Sequence, residues 1–200
     1  MGRFDKQLQD YKITEERDER GKRRTYLDYI GNYYYFNNKE AALASKPMII
    51  GCSILGLVLY FALLSIRITV LRTPYVSIPF VFTGIPMITL VQGVWTLWTK
   101  KEPYYHKESD NITFKIPVSG GFILALQGVS FIAAIVALIV GRDNAGDPIV
   151  FDFNNAVFFG GCLIYAMTGY ILLSKRKILD MRGNIPTEDE KRREKEKSRR

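Results

Sequence analysis

Four apolar runs divide this chain, covering residues 48–66, 75–98, 120–140 and Phe153–Ser174. Each holds about twenty residues, enough for a helix to cross a hydrocarbon core of about 30 Å. Polar, charged segments separate the runs and flank them. The pattern predicts an all-α membrane protein, a four-transmembrane-helix bundle with charged, partly helical termini. Residues 1–47 read as a charged arm ending in a Tyr-rich juxtamembrane segment. Residues 48–174 read as the four-span membrane domain, and 175–200 as a basic juxtamembrane helix and charged tail.

The first run follows Lys46-Pro47, and a proline fits the first turn of a helix. The short turn 67–74 predicts that the first two spans pack as an antiparallel hairpin. The second run is the least regular. Pro79 lies near its start, Pro86 is interior, and Trp95 and Trp98 mark its far end. An interior proline removes a backbone hydrogen bond, so a kink is expected just before Pro86, with the Thr83 hydroxyl available to a freed carbonyl. Residues 99–119 read as a loop. It carries the single histidine, His106, predicted to be solvated, and a glycosylation sequon at Asn111-Ile112-Thr113 that serves as a topology test. In the third run Gly121, Ala125, Ala133, Ala137 and Gly141 recur at four-residue intervals, broken by Val129, and predict a small-residue face for close helix contact. Gly161 and Gly169 supply similar positions in the fourth run, with Asn154 and Asn155 as caps at its start. The fourth helix is expected to continue to Arg182, laying Ile178 and Met181 on the lipid surface.

Charge changes this picture by giving it a direction. Four spans place both termini on one side. That side holds Lys39, Lys46, Lys100, Lys101, Lys107, Lys115, Lys175, Arg176, Lys177 and Arg182 near the membrane, against Arg67, Arg72 and Arg142 on the other. The positive-inside rule then puts both termini in the cytoplasm of a bacterial cell, or in the matrix for a mitochondrial inner membrane. The net charge of +8 comes without a nucleic-acid recognition motif. Anionic phospholipids are the expected partner for Lys100, Lys101, Lys175, Arg176, Lys177 and Arg182. The first 25 residues are too charged to form a core and read as a solvated or partner-ordered arm. Tyr26, Tyr29, Tyr33, Tyr34, Tyr35 and Phe36 crowd the stretch ahead of the first span, as an interfacial anchor or a surface for a protein partner. Thr187 and Glu190 form a capping-box pattern in the tail. The first apolar run starts so late that no signal peptide is read.

Candidate chemistry is sparse. Cys52 and Cys162 both lie in apolar runs, where a thiol serves as a small apolar side chain. Asp143, Asp147 and Asp152 surround a Gly-containing loop, but their spacing is not that of an EF-hand and reads as a polar turn. His106 with Glu102 and Glu108 is a poor stand-in for a catalytic cluster. No catalytic, cofactor or metal motif appears, and no ionisable residue lies well inside a run, which weakens proton-coupled transport and intramembrane proteolysis. Gln92 and Gln127 are the polar exceptions. Consecutive spans run antiparallel, so both amides fall at similar depth and are expected to hydrogen-bond across the second and third spans. The function these features suggest is a non-catalytic accessory or assembly subunit, joined to other membrane protein subunits of a respiratory, transport or secretion complex. The alternative is a small oligomeric transporter or channel with a path near Pro86, Gln92 and Gln127.

Overall fold

The computed structural model describes the backbone of residues 11–17, 23–143 and 145–184, and the side chains of residues 29–143 and 145–183. Four helices are long and apolar enough to cross a membrane: Lys39–Ser65, Pro74–Thr99, His106–Val140 and Phe153–Lys177. The first is α1 (Lys39–Ser65). The second is divided into α2 (Pro74–Phe82) and α3 (Gly84–Thr99). The third joins α4 (His106–Asp110), one π-helical turn (Asn111–Lys115) and α5 (Ile116–Val140). The fourth is α6 (Phe153–Ser174), which closes on a 3-10 turn at Lys175–Lys177. Successive helices are antiparallel. Residues 29–38, 100–105 and 178–184 therefore gather at one end, the arm end. Residues 66–73 and 141–152 gather at the far end.

Hydropathy located the helices but undercounted two of them. α1 begins at Lys39, where the Asn38 side chain caps it by accepting from the Ala41 N–H at 3.1 Å, so Pro47 is interior and not in the first turn. The third helix begins at His106, so the 99–119 loop shrinks to residues 100–105. Both added stretches are polar helix extending beyond the apolar run, and hydropathy registers contact with lipid rather than helix length. Asp152, not Asn154 or Asn155, caps α6, its Oδ1 accepting from the Asn155 N–H at 2.7 Å. The break in the second helix falls at Thr83, three residues before Pro86.

The largest correction follows the fourth helix, which does not continue to Arg182. Met181–Asn184 forms a strand, β4, antiparallel to β3 (Tyr33–Phe36), with Phe36 opposite Met181 and Tyr33 opposite Asn184. Ile178 and Met181 pack against the core beneath this sheet, and Leu179 is fully buried. Within the arm, β1 (Tyr11–Arg17) and β2 (Arg23–Tyr29) pair antiparallel, in a register that sets Lys12 opposite Asp28 and Glu16 opposite Arg24. Residues 1–10, 18–22 and 185–200, including the Thr187/Glu190 capping box, lie outside the described residues.

The core is in two parts. Toward the arm end, Ile49, Leu90, Leu97, Ile116, Ile123 and Leu172 pack together and continue into Phe36, Tyr104 and Leu179. Toward the far end, Leu63, Val76, Phe80, Ala137 and Phe158 form the second part, with Phe80 edge-on to Phe158 at 5.5 Å. α5 and α6 make the most extensive helix pair. Outward positions are apolar as well: Ile54, Val58, Phe61, Ile85, Ile88, Ile132 and Ile139 are all exposed. Helices apolar on every side suit lipid rather than water as their surroundings.

Candidate functional site

Among the described residues, polar side chains gather at the break in the second helix, at the cap at the arm end, and around Asn155 at the far end. At the break, Pro86 has no N–H to return to Phe82, and the Thr83 N–H bonds Phe80 O at 3.2 Å, one residue short of the α-helical partner. The Thr83 hydroxyl takes over, donating to Pro79 O at 3.1 Å, as the sequence suggested a hydroxyl there could. The same oxygen accepts from Gln127 Nε2 at 3.0 Å, which ties α5 to the break. Thr83 and Gln127 are both fully buried. Tyr60 reaches in from α1 and donates to Val81 O at 3.0 Å, and a Cβ at position 84 would lie 2.9 Å from its hydroxyl, so a larger residue there would displace the Tyr60 ring. Gln127 Oε1, Ser130 Oγ and Tyr165 Oη are buried without a hydrogen-bond partner among the described residues.

The expected pairing of Gln92 with Gln127 does not occur. Gln92 is on the outer surface of α3, where its Oε1 accepts from Lys115 Nζ at 2.9 Å. Depth along the bundle was read from the sequence, but the direction around each helix was not, and the two amides point to different sides. The four-residue strip on α5 is also displaced. Ala137 is buried, Gly121 and Ala133 are half-buried, and Ala125 is exposed. A four-residue step overshoots one turn by about 40°, so a strict strip spirals off the contact face. The face that packs is Ser119, Gly120, Ile123, Gln127, Ser130, Ala134 and Ala137. Gly120 and Gly169 let α5 and α6 meet backbone to backbone, and Gly161 receives the Leu63 side chain. Pro86 is buried.

The cap is a polar lattice. Tyr34 lies between β4 and the 100–105 loop, its N–H donating to Tyr104 O at 2.9 Å and its C=O accepting from Tyr104 N at 3.0 Å. Glu102 accepts from the Phe36 N–H at 3.2 Å and pairs with Lys39 at 2.7 Å. Glu108 pairs with Lys100 at 3.1 Å and accepts from the Tyr105 N–H at 3.2 Å. Asn37 Nδ2 donates to Asp180 Oδ2 at 2.8 Å. Contrary to the solvated position expected of it, His106 is half-buried, its Nδ1 3.0 Å from the Tyr34 hydroxyl and its N–H donating to Tyr29 Oη. Tyr29 meets Tyr105 edge-on at 4.6 Å. The tyrosine-rich stretch is thus a structural layer of the cap. Burial raises the Tyr104 phenol, and the carboxylates of Glu102 and Glu108 push it further, to about 12.

Of the predicted headgroup residues, Lys100, Lys101, Arg176, Lys177 and Arg182 are exposed at the arm end and Lys175 is half-buried beside them. Asn111 of the sequon is in the π-helical turn, its side chain donating to Thr96 Oγ1 at 3.2 Å. At the far end, Asp143 Oδ1 accepts from the N–H groups of Ala145 and Asp147, an ordinary turn. At the far end Asn155, read from the sequence as a helix cap, has a different place. It is fully buried, and it accepts from the Val70 N–H at 3.3 Å while donating to Thr69 Oγ1 and Val150 O, each at 2.7 Å. Among the described residues no three His, Cys, Asp or Glu side chains come together to hold a metal. No protein-family model, curated protein or solved structure matches this chain.

Proposed function

We propose that the chain is a non-catalytic integral membrane subunit that presents its arm end to another protein of the same complex. The observation that carries this reading is the β3–β4 sheet. It binds the segment before the first helix to the segment after the fourth, and β3 is bound on its other side to the 100–105 loop. The β1–β2 hairpin leaves from this braced platform through residues 30–32. A braced origin lowers the ordering cost of a partner contact made by the arms. Gentle detergent extraction and affinity capture of the full chain tests the reading. A stoichiometric partner should be captured, and lost when residues 1–30 are deleted from a chain that still elutes as a single species. A lone oligomer of this chain would count against it.

The break in the second helix favours a second reading, a small transporter. Broken helices and unpaired buried polar atoms accompany binding sites in such proteins. Its path would use Pro86, Thr83 and Gln127 and would exclude Gln92, which is outside. Solute flux into vesicles holding the purified chain separates it from the subunit reading.

A further inference from the structure

We propose that the groove between the second and third helices holds one anionic phospholipid, with its phosphate on Lys115. This rests on the reading of the bundle as membrane-spanning. The groove has a volume of about 700 Å³, within the usual range of roughly 300–1,000 Å³ for ligand sites. One wall is Ile78, Phe82 and Pro86, opened by the break at Thr83; the other is Phe114, Val118 and Phe122. The walls meet where the Thr89 and Ser119 hydroxyls lie 2.7 Å apart. Thr89 also donates to Pro86 O, so this hydroxyl pair is spent within the protein.

Lys115 is the one charged residue lining the groove. Among the described residues it has no carboxylate within ion-pair distance; its only hydrogen bond is the one to Gln92 Oε1. An ammonium has three N–H groups, so two are unspent. Gln92 lies one turn inside Trp95, and tryptophans favour the headgroup layer. That sets the ammonium about 5 Å inside the tryptophan level, at the edge of the hydrocarbon. A cation there, uncompensated, is unfavourable, and a phosphodiester supplies both its charge and its acceptors. From Lys115 the apolar wall continues to Leu126, a length of about 16 Å for an acyl chain. Beyond Phe114 and Val118 a second cavity of about 820 Å³ brings Arg176 and Lys177 beside Asp110 and Asp180. Its formal charges cancel, which leaves Lys115 as the unbalanced one. Phospholipid is also the amphiphile in greatest supply at that depth.

The purified chain is reconstituted in vesicles of equal phosphatidylglycerol and phosphatidylcholine, extracted in mild detergent and weighed intact by native mass spectrometry. Wild type should retain one lipid, with phosphatidylglycerol preferred. Lys115→Gln should lower that preference about fivefold, while Lys115→Arg and the remote Lys107→Gln keep it. Val118→Trp should lower retention of both lipids with Lys115 intact. Equal retention of the two lipids by wild type would overturn the proposal, as would an equal loss in Lys107→Gln. A photo-crosslinker at position 122 that joins two copies of the chain instead of lipid would also overturn it. Alkaline carbonate separates the premises: a chain washed off the vesicles refutes the membrane reading, whereas an embedded chain without lipid preference refutes only this site.

Discussion

Replacing Gly120 or Gly169 by alanine tests the central contact of the bundle. A Cβ on Gly120 would lie 2.8 Å from Gly169 O, 2.8 Å from Leu172 Cβ and 2.9 Å from Leu173 N. A Cβ on Gly169 would lie 2.8 Å from Gly120 O and 2.9 Å from Leu124 N. These neighbours are mostly backbone of a packed helix and cannot rotate away. Relief requires the helices to part by roughly 0.6 Å, since nonbonded carbon contacts settle near 3.5 Å. A gap of that order forfeits about a quarter or more of the dispersion energy of the atoms that line it. Because α5 and α6 share the most extensive interface, the loss spreads along it. Overpacking of this kind costs about 1–3 kcal/mol, and each variant should lie in the upper part of that range.

Gly121→Ala is the internal control. Its Cβ would meet only Leu173 Cδ1, at 3.6 Å, an ordinary contact, and helical propensity favours alanine over glycine by about 1 kcal/mol. Gly121→Ala should therefore be neutral or mildly stabilising. Unfolding of the purified variants in detergent, followed by the loss of monodisperse protein with temperature, ranks all three against wild type. The reasoning is refuted if Gly120→Ala and Gly169→Ala unfold with Gly121→Ala, because the packing face would then be the four-residue strip or neither.

Three further outcomes are expected. Thr83→Val strands both Pro79 O and the Gln127 amide, and should cost about 1–3 kcal/mol; Gln127→Leu leaves the Thr83–Pro79 bond in place and should cost about 1 kcal/mol or less, an order that the same unfolding assay reads directly. Asn155→Ala removes three hydrogen bonds at the buried far-end site and should cost about 2–3 kcal/mol or more, first visible as faster proteolysis in residues 66–73. The Tyr104 phenol is raised from 10.0 to about 12 in the folded chain, so its contribution is complete below pH 10 and is lost as pH climbs toward 12; a pH titration of thermal stability should show this loss in wild type and a smaller one in Tyr104→Phe.

How much of this was legible in the sequence depends on what marks each boundary. The start of the fourth helix at Phe153 was legible, because Asp152 ends the polar loop before an abrupt apolar run, whereas its end was not, because the basic residues from Lys175 to Arg182 continue a helical pattern without a break. The starts of α1 and the third helix were missed because Lys39 and His106 begin polar turns that hydropathy assigns to loops. The Tyr33–Phe36 and Met181–Asn184 pairing joins opposite ends of the chain, and no local pattern announces it. One signal was available in β4: Gly183 is opposite Tyr34, where a Cβ would press on the ring at 3.1 Å. Gln92 and Gln127 looked alike in sequence. Their neighbours at helical spacing differ, for Gln127 is in register with Gly120, Ile123 and Ala134, and Gln92 with Ile85 and Ile88, both exposed.

The two ends of that reading bear unequally on function. At the cap, Glu102, Glu108, Asn37, Asp180 and His106 each have a protein partner, and those bonds join the two arms to each other, an arm to the 100–105 loop or the third helix, and that loop to the third helix. Such a lattice rigidifies the place where the arms begin, which is what a docking subunit needs and what a gate at that end would have to break. At the middle, Gln127 Oε1, Ser130 Oγ and Tyr165 Oη are buried and unpaired around a helix that is already interrupted. Movement, if the protein has a transport cycle, is least costly there, since fewer hydrogen bonds resist it. Thr83 holds that interruption together through one hydroxyl, so the Thr83→Val and Gln127→Leu pair separates the two functions too. A subunit that only docks should lose stability and keep its partner, whereas a transporter should change its flux before it loses its fold.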